Sequence, residues 1–339
     1  MTASSSVAPP PVSVNLARKG DSLWGEAFRR LLRNKAAVVG GSIILVIVLV
    51  SILAPIIAVK SFEVQVPADN NKVPGWVPAI FTTMKPYAKY SGQYPLGADD
   101  LGRDLFSRIV YGSRISLTVA FIGPFVSLII GVVFGSIAGY LGGRVDNWMM
   151  RVVDVLYAFP QILFIILLMA FFRSTLAKPA PGTFGASISQ LDAASGGVLF
   201  IFMGLGLTAW ETMARLSRGQ VLSQREKEYI EAARTIGARD FRIMFRHILP
   251  NILGPLIVAE SLAIPGYISL EAFLSFIGLG VNPPTPSWGS MISDGSRILR
   301  TYPNQAIFPA LALAITMFAF NFLGDGLRDA LDPRLKGTS

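Results

Sequence analysis

The chain has 339 residues, 52% of them hydrophobic and 15% charged, with a formal charge of +9, one histidine and no cysteine. Soluble domains run near a quarter charged, so this composition marks an integral membrane protein whose apolar faces meet lipid. It excludes disulfides, cysteine nucleophiles, thiolate metal sites and a histidine metal cluster, and the excess charge is that of membrane-flanking Lys and Arg, not of a nucleic-acid surface.

Residues 1–35 read as a tail. Its start, MTASSSVAPPPVSV, is Ser/Pro-rich and too polar to pack, and no apolar h-region follows directly, so it is not a signal peptide. About 20 apolar residues cross a bilayer as a helix. Six segments meet that length: Ala36–Val59, Ile115–Tyr140, Val152–Phe172, Val198–Leu216, Ile252–Leu279 and Ala306–Leu323. The first is taken as an uncleaved spanning helix over 36–59. An external segment follows at 60–114, and its first part, from Lys60 to Gln93, shows no interpretable pattern. The other five helices fall in a core at 115–325, with a charged loop at 217–251, and a second tail covers 326–339. The fold class is therefore all-α, with about six transmembrane helices.

Basic residues set the orientation. Arg18, Lys19, Arg29, Arg30, Arg33 and Lys35 crowd the N-terminal side, and Arg215 to Arg246 are dense in the charged loop. Both termini and that loop are expected in the cytoplasm of a plasma membrane. In the second helix, Gly131, Gly135, Gly139 and Gly143 repeat every four residues, spacing that lets another helix approach closely, from the same chain or from another subunit.

The loop cannot lie in lipid, since each Arg or Lys at mid-bilayer costs on the order of 2.5–3.5 kcal/mol. Its pattern predicts two short helices. Tyr229, Ala233 and Ile236 share a face of the first, with Ala232 beside them, and Gly237 stops it. Asp240 is the expected N-cap of the second, in which Phe241, Met244, Phe245, Ile248 and Leu249 fall on one face and Pro250 ends the pattern. Such a pair can lie on lipid, pack on its own bundle, or dock into a groove of another protein.

Other acidic residues are candidates for specific roles. Glu260 and Glu271 lie inside a spanning segment, where a carboxylate is costly and faces a cavity or a partner; they are candidates for the translocation path. Asp99, Asp100 and Asp104, with Arg103 and Arg108, form a cluster before the second helix. It either caps and salt-bridges a turn or contacts an external protein. Asp154 and Arg151, at the start of the third helix, are expected in local or subunit salt bridges.

The run E-A-A-R-T-I-G, nine residues, then H-I-L-P resembles the cytoplasmic signature of permease subunits of binding-protein-dependent ABC importers. Glu231, Ala232, Ala233, Gly237, Leu249 and Pro250 match it, and His247 replaces its first Ile. YPLGADDLGRDLFSRIVYGSRISL (94–117), EAFLSFIGLGVNPPTPSWGSMISDG (271–295) and FLGDGLRDALDPRLKG (322–337) are similar to segments of the second, C-type subunit of the dipeptide, oligopeptide and nickel permeases. The resemblance implies that the loop is a coupling helix, with Asp240, Phe241 and Phe245 among its docking residues, set in a cleft of a cytoplasmic ATPase. It further implies a second homologous permease completing the pore, an external solute-binding protein, a peptide-like substrate and a prokaryotic host. No G-x-x-x-x-G-K-[ST] loop occurs in the chain. ATP and magnesium would therefore sit on the partner, and this chain would carry no cofactor, metal or catalytic residue. The alternative is an ATP-independent secondary transporter or channel, which needs an intramembrane relay of acids or histidines that only Glu260 and Glu271 begin to supply.

Overall fold

The computed structural model describes residues 23–175, 179 and 182–331; the N-terminal tail before Leu23 and the end of the C-terminal tail, with Arg18, Lys19, Arg334 and Lys336, lie outside the described residues. In chain order the helices are α1 (Leu23–Arg33), α2 (Lys35–Ile52), α3 (Ala54–Ile57), α4 (Val77–Ile80), α5 (Leu105–Leu141), α6 (Gly143–Ala158), α7 (Gln161–Thr175) and α8 (Phe184–Ala194). They continue as α9 (Leu199–Thr208), α10 (Trp210–Arg225), α11 (Glu228–Thr235), α12 (Asp240–Arg242), α13 (Leu249–Phe276), α14 (Trp288–Ser296) and α15 (Asn304–Leu331). Among the described residues five helical stretches are long and apolar enough to cross a membrane, and the bent α6–α7 pair makes a sixth where its two halves count as one span.

The first three spans differ from their sequence expectations in interpretable ways. The first ends at Ile52, with Pro55 opening the separate short turn α3. The second starts ten residues early, because Asp104 caps it: its carboxylate accepts from the Ser107 N–H at 2.8 Å. At 37 residues α5 is about 55 Å long, so it projects well beyond a hydrocarbon core of about 30 Å. The third span is not one helix. It bends by 80° between α6 and α7, where Pro160 lacks the N–H that would continue the ladder and disfavours helical geometry at Phe159, which is extended.

Helices α5 and α10 pack along the glycine stripe. A Cβ at Gly131 would stand 2.6 Å from the Met213 Cβ, one at Gly139 would stand 2.8 Å from the Arg218 carbonyl, and one at Gly135 would overlap the Ala214 carbonyl. The stripe is therefore filled from within the chain. Gly143 is not part of it, being a left-handed residue (φ +56°) at the start of α6. Ser136 and Ser217 hydroxyls meet at 3.2 Å in the same interface, and Asp146 of α6 accepts from Arg218 at 2.5 and 2.6 Å. Asp154 pairs with Arg215 at 2.7 Å, while Arg151 is exposed. Helix α15 runs between α2 and α13, with Ala319, Phe320 and Ile268 in their common core.

The loops sort to two ends. At one, Val73, Val77 and Met84 are buried against Tyr302 and Phe308, so the stretch without sequence pattern is a folded cap on the start of α15. Its two-residue strands β1 (Lys72–Val73) and β2 (Lys89–Tyr90) pair in parallel, and Gln305 donates to Asn71 at 2.7 Å. The loop before α14 joins this end through Arg108, which donates to both the Phe62 and the Pro284 carbonyls at 3.5 Å, and it is tied to the α8–α9 connection by the Asn282 N–H on the Gly196 carbonyl at 2.8 Å. At the other end lie α11, α12, the α5–α6 corner, and the start of α2 beside the end of α15, where Asn34 donates to Asp329 at 3.2 Å.

Candidate functional site

Two features stand out on this frame: an apolar elbow at one end and a groove along the bundle. The elbow begins with α11. Gly237 closes it at φ +84°, a conformation that strains any residue with a Cβ. The Gly237 N–H donates to the Arg234 carbonyl at 2.9 Å and the Ala238 N–H to the Ala233 carbonyl at 3.0 Å, the bond pair of a Schellman cap. Asp240 does not cap the next helix; Arg239 occupies that position without a side-chain bond, and Asp240 accepts from the Tyr140 hydroxyl at 2.6 Å. This bond ties the elbow to the end of α5.

Helix α12 does not stop at Pro250. It passes through a π-helical turn, Ile243–Ile248, directly into α13, so Asp240–Phe276 is one continuous helix of 37 residues. The proline is the physical reason. It lacks an N–H and crowds the carbonyl four residues back, and the wider π turn gives that carbonyl room. The Leu249 N–H accordingly reaches the Met244 carbonyl, five residues back.

The faces of the elbow divide sharply. Ile230, Ala233, Ile243 and Ile248 are buried with Val132, Met213 and Val221 of α5 and α10. Ile236 is 84% exposed, Phe241 74% and Phe245 54%, and the two phenylalanine rings lie 4.3 Å apart. The expected inner face of α11 is thus rotated: Ile230 joins Ala233 inside, whereas Ile236 and Tyr229 point out. Glu231, Ala232, Arg234, Arg239, Arg242, Arg246 and Pro250 are exposed around the apolar patch, and Leu249 is half-buried. Tyr229 donates to Gln224 at 2.8 Å. Arg225 donates to the Tyr140 carbonyl at 2.9 Å, so α5, α10 and the elbow are pinned together.

The groove has a volume of about 910 Å³ and runs between α6–α7, α9–α10 and α13. Glu260 faces it, accepting from Tyr267 at 2.7 Å and from Ser127 at 3.3 Å. Glu271 does not reach the groove. It is fully buried against the hydroxyls of Ser275 (2.7 Å) and Ser116 (3.4 Å), a polar pin between α13 and α5. A second groove carboxylate, Glu211, sits at the start of α10. Only the fold shows that it faces the groove.

At the capped end, Asp99 and Asp104 turn inward. Asp99 accepts from Arg103 Nε at 2.6 Å and from the Arg103 and Leu101 N–H groups at 2.8 and 3.0 Å. Asp104 is the buried cap of α5, and burial raises its carboxyl above the usual range against the lowering effect of the Ser107 bonds. Only Asp100 of the three is on the surface. Among the described residues no group of three or more His, Cys, Asp or Glu side chains is arranged to hold a metal.

An apolar elbow at one end of a bundle of long and bent helices, with a mostly apolar groove beside it into which two carboxylates face, is the architecture of a transporter membrane subunit. The family model described as the binding-protein-dependent transport system inner membrane component matches residues 131–337, and that for the N-terminal TM domain of oligopeptide transport permease C matches residues 22–74. The oligopeptide transport system permease protein OppC of Bacillus subtilis is 40% identical over 321 residues, 95% of this chain and 93% of that protein. The dipeptide transport system permease protein DppC of the same organism is 40% identical over 323 residues, 95% and 89% of the two chains. The glutathione transport system permease protein GsiD of Pectobacterium atrosepticum is 37% identical over 314 residues, 92% of each. In fold, the chain is similar to a subunit in the inward-facing MetNI methionine ABC transporter, with a TM-score of 0.52 and 18% identity over 66% of this chain and 96% of that one. The chain belongs to the binding-protein-dependent inner membrane components, on their peptide-type ABC permease branch.

Proposed function

We propose that the chain forms half of the translocation pore of an ATP-driven importer of di- or oligopeptides, completed by a second homologous permease across the groove. The elbow docks into a cytoplasmic ATPase, which holds the ATP and magnesium; the chain itself catalyses no bond chemistry and needs no cofactor. The exposed trio Ile236, Phe241 and Phe245, on an elbow whose opposite side is bonded into the bundle, carries this reading. Such a patch offers apolar anchors for a groove, and its attachment to α5, α10 and α13 lets a push on the elbow move the spans as a body. Glu231 is exposed beside the patch and can accept a charge-assisted bond from a basic residue of the ATPase. Arginines at this end orient it, and both termini, to the cytoplasm of a prokaryotic plasma membrane. The capped end then meets the solute-binding protein, with Asp100 as the exposed contact of its acidic cluster. Glu260 lines the path.

A pull-down of the tagged chain from its native membranes tests this reading. An ATPase subunit and a second permease are expected with the native chain. With Phe241→Asp and Phe245→Asp together, the ATPase is lost and the second permease retained. Equal ATPase recovery with the double variant contradicts the docking role.

A further inference from the structure

We propose that Glu211 and Glu260 together form a subsite in the groove for the protonated amine of the substrate, with Glu211 the residue that distinguishes a charged amine from a blocked one. The proposal rests on the importer reading above and deepens it.

Glu211 is only 8% exposed, lines the groove, and has an Oε2 with no hydrogen-bond partner among the described residues. Its neighbour one turn along α10, Arg215, acts on it electrostatically but makes no salt bridge with it. Arg215 donates to Asp154 at 2.7 Å and lies 4.1 Å from the centre of the Tyr157 ring. An unpartnered carboxylate oxygen in so enclosed a place is costly unless a cation visits it. Glu260 stands on the facing helix, and the two sites meet at Ser127, whose single hydroxyl proton is shared between Glu260 and the Ala209 carbonyl, at 3.3 and 3.1 Å. Tyr267 and Ser127 take one site on each Glu260 oxygen, and a carboxylate offers about four lone-pair positions. Acceptor capacity is left on both acids, and an ammonium brings three donors and no acceptor. Gln161 and Thr208, bonded to each other at 3.0 Å, add neutral polar groups to the same wall, and among the described residues no basic side chain lines the groove. The lining thus selects positive charge and gives a free carboxylate nothing to pair with.

The test uses the assembled complex in nanodiscs without its external binding protein, photolabelled by the tripeptide alanyl-benzoylphenylalanyl-alanine with a free or an acetylated N-terminus. Label is mapped by mass spectrometry. The free-amine peptide is expected to label α10 and α13 about 10-fold more than the acetylated one, the size of one charge-assisted bond. Glu211→Gln, which keeps shape and removes charge, is expected to bring the ratio to about 1–2, while Glu211→Asp keeps part of it. ATP-driven uptake of alanine tripeptide by the native complex with its binding protein is measured alongside. Uptake with an unchanged labelling preference in Glu211→Gln overturns the subsite and leaves the importer reading standing. No uptake of any peptide by the native complex overturns the reading, and the subsite with it. A Glu211→Gln complex that loses label from both peptides equally also overturns the proposal, since a merely structural role gives that result.

Discussion

Glycines in this chain do three different jobs, and the surroundings of each decide what an added methyl does. Gly135 lies against the Ala214 backbone, which cannot yield. Gly135→Ala is therefore expected to destabilise the α5–α10 pair by about 1–3 kcal/mol, the usual cost of overpacking. Gly219, on the same α10, has open space at its Cβ position and ordinary helical backbone. There the substitution is expected to stabilise by about 0.5–1 kcal/mol through helix propensity. Thermal unfolding of the two purified variants in one detergent checks the opposite signs. Gly237 is the third case: space is open, but its φ of +84° makes Ala costly by about 1–2 kcal/mol. The Gly237 stop was legible in the sequence because the demand is local. The inward turn of Asp99 and Asp104 was not, because their burial depends on Arg108 and on loops near residues 62 and 284.

At the scale of elements, apolar run length placed the membrane spans but not their breaks. In sequence Pro160 lies inside the apolar run 152–172 and Pro250 at the end of an amphipathic one, and neither position shows what its proline does. One breaks its span by 80°, and the other is absorbed into a continuous helix by a π turn. The difference lies in packing: Ile243, Ile248 and Ile252 hold the second helix on course in the core under the elbow. The cap over residues 60–104 was illegible for a related reason, since its core is completed by Tyr302 and Phe308, more than two hundred residues away. The π turn carries its own prediction. Pro250→Ala removes the crowding that favours it, and reversion to an α-helix shifts the elbow by one residue, a rotation of about 100°. ATP-driven uptake by the variant complex is expected to fall at least about 10-fold, with assembly of the two permeases unchanged. Unaltered uptake would mean that the π turn has no part in orienting Phe241 and Phe245.

For the whole molecule, the proposed importer gives one task to each region: the capped end is to receive, the groove between α10 and α13 to conduct, and the elbow to be driven. All of this rests on the proposal that the patch of Ile236, Phe241 and Phe245 touches an ATPase. The chain has no cysteine, which makes site-specific cross-linking clean. The most direct measurement places a single cysteine by Phe241→Cys in native membranes, with Phe184→Cys at the opposite end as the control; both native side chains are well exposed. A maleimide–benzophenone reagent carried on the introduced thiol should, on illumination, insert into a neighbouring C–H bond and join the Phe241→Cys chain to an ATP-binding subunit and the Phe184→Cys chain to none. A Phe241→Cys chain that stays uncross-linked, or an ATPase adduct on the Phe184→Cys chain, would contradict the account.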